Sequence, residues 1–130
     1  MSKRIVEQWV ERATYDLRTA EAMYEARRYL YVAFMCQQAF EKILKAVIIS
    51  RGGDIARTHN LVRLAELAGI ADSISEIDLE FLATITPFAI EARYGDYKDS
   101  LSEIVNRTSA ASYAASAKKV FAWVKKQIKK

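Results

Sequence analysis

Apolar residues recur along most of this chain at three- and four-residue spacing, the period of a helix with one buried face. Ile5, Trp9, Ala13, Leu17, Ala20 and Tyr24 set that rhythm first and predict one long helix from Ser2 to Arg27. Glu11, Arg12, Arg18 and Glu21 fall mainly off the stripe. "EARRYL" ends the helix in a short turn, with neither glycine nor proline to enforce it. A second helix is predicted from about Tyr29 to Ser50. Ala33, Cys36, Gln37, Phe40, Ile43, Leu44, Val47 and Ile48 share one broad face, on which Gln37 alone is polar. Gln38, Glu41, Lys42 and Lys45 lie on the opposite side, where Tyr31, Phe34, Met35 and Ile49 intrude among them. A helix that is apolar on both sides is either central in a bundle or shared with another chain. Tyr31, Phe34, Met35 and Ile49 are therefore the expected seam of a homodimer or larger assembly.

"RGGD" stops the second helix, because Gly52 or Gly53 can take the left-handed conformation that closes a helix. A third helix follows, capped by Thr58 or Asn60 and ended by Gly69, with Leu61, Leu64, Leu67 and Ala68 as its buried edge. A fourth runs from about Ser75 to Tyr94 on the stripe Ile77, Phe81, Ile85, Phe88 and Ala92, with a kink at Pro87. After Gly95 and "DYKDS", Thr108 or Ser109 starts a fifth. Its inner face is Ala114, Ala117, Val120, Phe121, Val124 and Ile128, and its small residues allow close helix approach. No repeat or long linker divides residues 1–130. The expectation is one all-α domain, an up-and-down antiparallel bundle of about five helices.

Composition agrees. Four glycines and one proline in 130 residues are too few for the turns of a sandwich or barrel this long. The lone Cys36 excludes an internal disulfide, and one Cys with one His cannot make a Cys/His zinc site. Cys36 reads as a buried small hydrophobe. No signal-peptide core and no membrane-length apolar run is visible, so the cytoplasm is the expected compartment. The net charge of +4 is concentrated in the tail "AKKVFAWVKKQIKK". Such a tail is either a solvated face suited to a helix C-terminus or a patch that attracts phosphate.

Most catalytic layouts are missing. There is no Walker or dinucleotide loop, no His-Glu-x-x-His, no Glu-x-x-His and no nucleophile elbow. No cofactor or metal is expected. Two constellations remain. In "RTHNL", His59 and Asn60 open a helix, where backbone N–H groups attract anions, and Arg57 and Arg63 flank them. The plainer alternative is that His59 only packs and hydrogen-bonds there. In "EARYGDY", Glu91, Arg93, Tyr94, Asp96 and Tyr97 gather charge and aromatic surface; the choice is a functional groove or an Arg–carboxylate brace.

"YDLRTAEAM", "AFMCQQAFEKILKAVII", "THNLVRL" and "EARYGDY" together resemble the HEPN family over nearly the whole chain. Gln-Ala-x-Glu-Lys-x-Leu-Lys followed by Thr-His-x-Leu is the most specific part. The resemblance implies an up-and-down bundle, usually dimeric, associated with minimal nucleotidyltransferases and having a proposed nucleotide-binding role. Many members are metal-independent ribonuclease toxins whose motif sets a histidine roughly four to six residues after an arginine, supplying acid–base chemistry at the ribose 2′-hydroxyl. This chain departs from that motif. Arg51 lies eight residues before His59 and Arg57 two, and neither Arg93 nor Arg107 has a histidine after it.

The functional expectation is a non-catalytic nucleotide-binding and interaction module, partner subunit of a minimal nucleotidyltransferase in a toxin–antitoxin-like pair. Its nucleotide or RNA contacts would be Arg57, His59, Asn60, Arg63, Glu91, Arg93 and Tyr94. Gln37 and Phe40 are assigned to the core or dimer seam, and Gln38, Glu41 and Lys45 to a surface network. Two alternatives stay open: a divergent ribonuclease using His59 with Arg57 or Arg93, and a ligand-free homo-oligomer.

Overall fold

A computed structural model describes residues 2–91 and 105–129, the side chains of residues 2, 90 and 91 aside. Among these, the regular elements are all helical: α1 (Ser2–Glu25), α2 (Tyr29–Ser50), α3 (Leu61–Leu67), α4 (Glu76–Ile85), the single turn α5 (Phe88–Glu91) and α6 (Arg107–Lys126). The all-α bundle read from the periodicity is the observed fold. Ala92, Arg93, Tyr94 and the "GDYKDS" loop lie outside the described residues.

α2 is the axis of the molecule and touches every other helix. Thirteen of its residues are buried, so much of its two-sided apolarity is spent inside the chain. Phe34 and Met35 are half-buried against the core and Ile49 is also half-buried, while Tyr31 sits edge-on to Phe34 with ring centroids 6.5 Å apart. α1 lies antiparallel on α2, with Ala13 and Ala20 in the shared core and Val6 buried on the same line seven residues earlier, the interval of a helix–helix seam. The two alanines let the backbones approach closely. This line runs one position away from Ile5, which is exposed instead of buried as the spacing predicted.

α6 closes the bundle, antiparallel to α1 and in the same direction as α2. At its start the Arg107 side chain bonds Tyr24 near the end of α1, which raises its pKa further above the usual arginine range. At its far end, Arg51 Nε and Nη2 donate to the Gln127 carbonyl at 3.3 and 3.0 Å, and the Lys129 N–H donates to Ser50 Oγ at 3.0 Å. Phe40 ties the layers together, with Phe81 of α4 and Phe121 of α6 edge-on at 5.7 and 6.1 Å.

Three helices end the same way, each with one residue in the left-handed region and a pair of backbone bonds closing the last turn. After α2 that residue is Gly52 (φ 82°), with Gly52 N–H on the Ile49 carbonyl and Gly53 N–H on that of Ile48. Gly69 (φ 75°) does this after α3, and the next residue, Ile70, is buried. Ile70 thus takes the core position expected of Leu67, which is exposed. After α1 the position belongs to Arg27 (φ 60°), with Arg27 N–H on Tyr24 and Arg28 N–H on Met23. That explains a turn formed without glycine.

The expected fourth helix is broken rather than kinked. α4 stops at Ile85, and α5 resumes after Thr86 and Pro87, because proline removes an N–H and crowds the preceding turn. Ser75 caps α4 through a bond from Asp78 N–H. Ile77 is 77% exposed where burial was expected, and Ile74, just before the cap, enters the core instead. α6 starts earlier than expected. Asn106, not Thr108 or Ser109, is its cap, and Ser109 closes a capping box with it.

Candidate functional site

The strongest polar feature in the described core is built on α2 by Gln37 and Glu41, one turn apart and 0% and 6% exposed. The surface position expected for Glu41 is corrected: its carboxylate points inward. Gln37 Nε2 donates to Glu41 Oε1 at 2.8 Å and to the His59 carbonyl at 3.1 Å. Gln37 Oε1 accepts from Gln38 Nε2 at 2.8 Å. Both amide protons and the oxygen of a buried glutamine are thereby used. His59 Nδ1 lies 2.5 Å from Glu41 Oε1, and Lys45 Nζ stands 3.6 Å from Oε2. A buried carboxylate is tolerated when donors surround it in this way. Among the described residues, every buried side-chain nitrogen and oxygen has a partner.

This network explains the paired glutamines and the single histidine. Glu41 already accepts from Gln37 and faces Lys45, so it is an acceptor toward His59, and Nδ1 carries the proton. Nε2 is then the ring nitrogen left to act outward, on a side chain that is 57% exposed. Ring and carbonyl of His59 are both held, fixing the segment between Gly53 and Asn60 to the central helix.

The start of α3 differs from the anion cradle expected there. Asn60 is the cap, and its Oδ1 accepts from Val62 N–H and Arg63 N–H at 3.0 and 3.2 Å. The Leu61 N–H donates to Thr86 Oγ1 at 3.2 Å, and the Asn60 N–H to Thr58 Oγ1 at 3.2 Å. These backbone donors are consumed inside the chain. What remains outward is side chain: Arg57 is exposed, and Arg63 is exposed and within 3.4 Å of Glu66. The Thr86–Leu61 bond also brings the Pro87 break against this helix start. Glu91 ends α5, with its side chain outside the description, and Arg93 and Tyr94 lie beyond it.

Cys36 is inert by placement. It is fully buried, and burial pushes its thiol up to about 12. Among the described residues, no group of three or more His, Cys, Asp or Glu side chains is arranged to hold a metal ion. None of the described helices is long and apolar enough to cross a membrane.

The fold and site are those of a small all-α protein, a bundle organised on a central helix in which a buried Gln–Glu pair clamps the loop that carries Thr-His-Asn-Leu. The HEPN domain matches residues 6–127, and the chain belongs to that family, one of nucleotide- and RNA-related modules. A solved structure, the crystal structure of TT1696 from Thermus thermophilus, is similar at 26% identity with a TM-score of 0.78. The likeness covers 94% of this chain and 97% of that one. Comparison with curated proteins gives no match.

Proposed function

We propose that this chain is a non-catalytic HEPN nucleotide-binding and interaction module, the partner subunit of a minimal nucleotidyltransferase in a toxin–antitoxin-like pair. The observation that carries the reading is the commitment of the sole histidine, whose Nδ1 meets buried Glu41 and whose carbonyl meets buried Gln37. His59 is first a clamp. Together with the displaced Arg-to-His spacing, this favours scaffolding over cleavage. The partner supplies transfer chemistry. This chain supplies a helical wall on which Arg57, His59 and Arg63 offer phosphate contacts, with Asn60 holding the helix start; Glu91, Arg93 and Tyr94 complete the proposed contact set on the strength of the sequence alone. The module works as a homodimer in the cytoplasm, with Tyr31, Phe34, Met35 and Ile49 contributing to the seam. A reading frame beside the gene should encode the Gly-Ser and Asp-x-Asp signature of a minimal nucleotidyltransferase. Co-expression should then yield one co-migrating complex, whereas two proteins that elute separately would overturn the assignment.

One feature supports an enzyme as the second reading. A carboxylate on Nδ1 orients Nε2 as a general base, and exposed Arg57 can steady a phosphate. The two readings part on a simple assay. Purified protein incubated with total RNA should leave it intact. Cleavage that disappears in His59→Ala would promote the divergent ribonuclease, with Arg57→Ala and Arg93→Ala deciding which arginine assists.

A further inference from the structure

The lysine-rich tail takes on meaning where it lands. The start of α1, the end of α2 and the end of α6 enclose an open cleft of about 1180 Å³ that includes none of the His59 cluster. One wall is Lys3, Val6, Glu7, Val10 and Glu11 of α1, and the other is Ala122, Lys125, Lys126 and Lys129 at the end of α6 and just beyond it. Both walls repeat at the three- and four-residue spacing of a single helix face. They present such faces over about 12 Å of α1, at about 1.5 Å rise per residue. Val6, Val10, Ala122 and Ile128 make an apolar floor, and Arg51 closes it, its guanidinium latched to the Gln127 carbonyl.

We propose that this cleft seats an amphipathic helix of another protein, acidic on the flank facing α6 and Arg51. Apolar residues of that helix fill the floor between α1 and α6, as an added helix does in a bundle groove. Charge sets its orientation: Lys125, Lys126, Lys129 and Arg51 gather on one side, while on the α1 wall Glu7 and Glu11, with Lys3 one turn before Glu7, accept bases from the opposite flank. A nucleic acid fits less well, because the floor is aliphatic and none of the cleft's side chains is an aromatic stacking surface. The inference holds whichever protein supplies the helix, so it does not stand or fall with the nucleotidyltransferase assignment.

The probe is a fluorescent helical peptide of about five turns, with leucines at i, i+3, i+4 and i+7, glutamates on one flank and lysines on the other. Anisotropy titration of the full chain should give binding in the micromolar range. A scrambled peptide of the same composition should bind at least tenfold more weakly. Lys125→Glu with Lys126→Glu, both exposed, should weaken the helical peptide at least tenfold, while Lys118→Glu on the same helix outside the cleft should not. Circular dichroism confirms that each variant is folded. Raised salt should weaken but not abolish the peptide complex, since the apolar floor is unscreened. Equal binding of the scrambled peptide overturns the proposal, as does tighter binding of single-stranded polyuridylate. So does a dimer that the paired charge reversal dissociates, which would make a second copy the occupant.

Discussion

Glu41 accepts two hydrogen bonds and faces one ammonium, from two parts of the chain, and its removal strands more than one of these groups. In Glu41→Ala the Gln37 amide nitrogen keeps only the His59 carbonyl, and His59 Nδ1 loses its acceptor. The expected cost is about 2–4 kcal/mol, that of leaving buried polar groups unpaired, seen as a lower urea midpoint. His59→Ala should cost less, about 1 kcal/mol, because the ring is more than half exposed. The double variant should cost clearly less than the sum, since both changes break one bond. Strict additivity would mean the 2.5 Å contact carries no coupling. Cys36 gives a pH signature. An unfolded thiol loses its proton near 9.0, while the folded one holds it to about 12. Over that window the unfolded state binds fewer protons, so the stability contribution, complete below 9, falls as pH rises, by up to about 1.4 kcal/mol per pH unit. Urea unfolding at pH 8 and pH 10 should show a larger loss for the wild type than for Cys36→Ala. An equal loss in both would place the thiol in contact with water.

Helix ends carry the next set of consequences. Arg27 adopts φ 60°, a conformation costing roughly 1–2 kcal/mol for a side-chain-bearing residue. Arg27→Gly should therefore raise stability by up to about 1 kcal/mol, the remainder lost to glycine's freer unfolded chain. A destabilised variant would show that the side chain makes contacts outweighing its backbone cost. At the start of α6, Asn106→Ala removes an N-cap and half of a capping box, and should lower the thermal midpoint by the equivalent of about 1 kcal/mol. The positions of helices were legible in the sequence because burial repeats at 3.6 residues and Gly52 and Gly69 mark two ends. Registers were less legible. Ile5, Leu67 and Ile77 continue apolar stripes on paper, yet neighbours at Val6, Ile70 and Ile74 win the core, since tertiary packing decides which edge of a broad stripe faces inward. The His59 cluster was half legible. Its residues stood out by type, but periodicity put Glu41 outside, because a carboxylate is placed in a core only by partners distant in sequence. Gln37, the lone polar residue on a buried face, was the signal that an acceptor had to be near.

At the scale of the molecule, α2 decides how much surface is left for assembly. Its contacts with all the other helices account for part of the apolar pattern that suggested a shared helix, leaving Tyr31 and half-buried Phe34, Met35 and Ile49 as the proposed seam. Light scattering at micromolar concentration should give a mass near twice 14.8 kDa, and truncating Tyr31 and Phe34 together to alanine should shift it toward the monomer. A wild-type monomer would remove the dimer. The cleft bordered by Lys3 and Lys129 has a topological consequence as well. The start of α1 and the stretch just after α6 are spatial neighbours, so in a variant cut to residues 3–129 a short linker from Lys129 to Lys3 would close the backbone into a ring with little loop entropy to lose. Cutting that ring in the exposed stretch after Gly53 would make α6 and α1 the consecutive hairpin and leave α2, the axis, to be synthesised last.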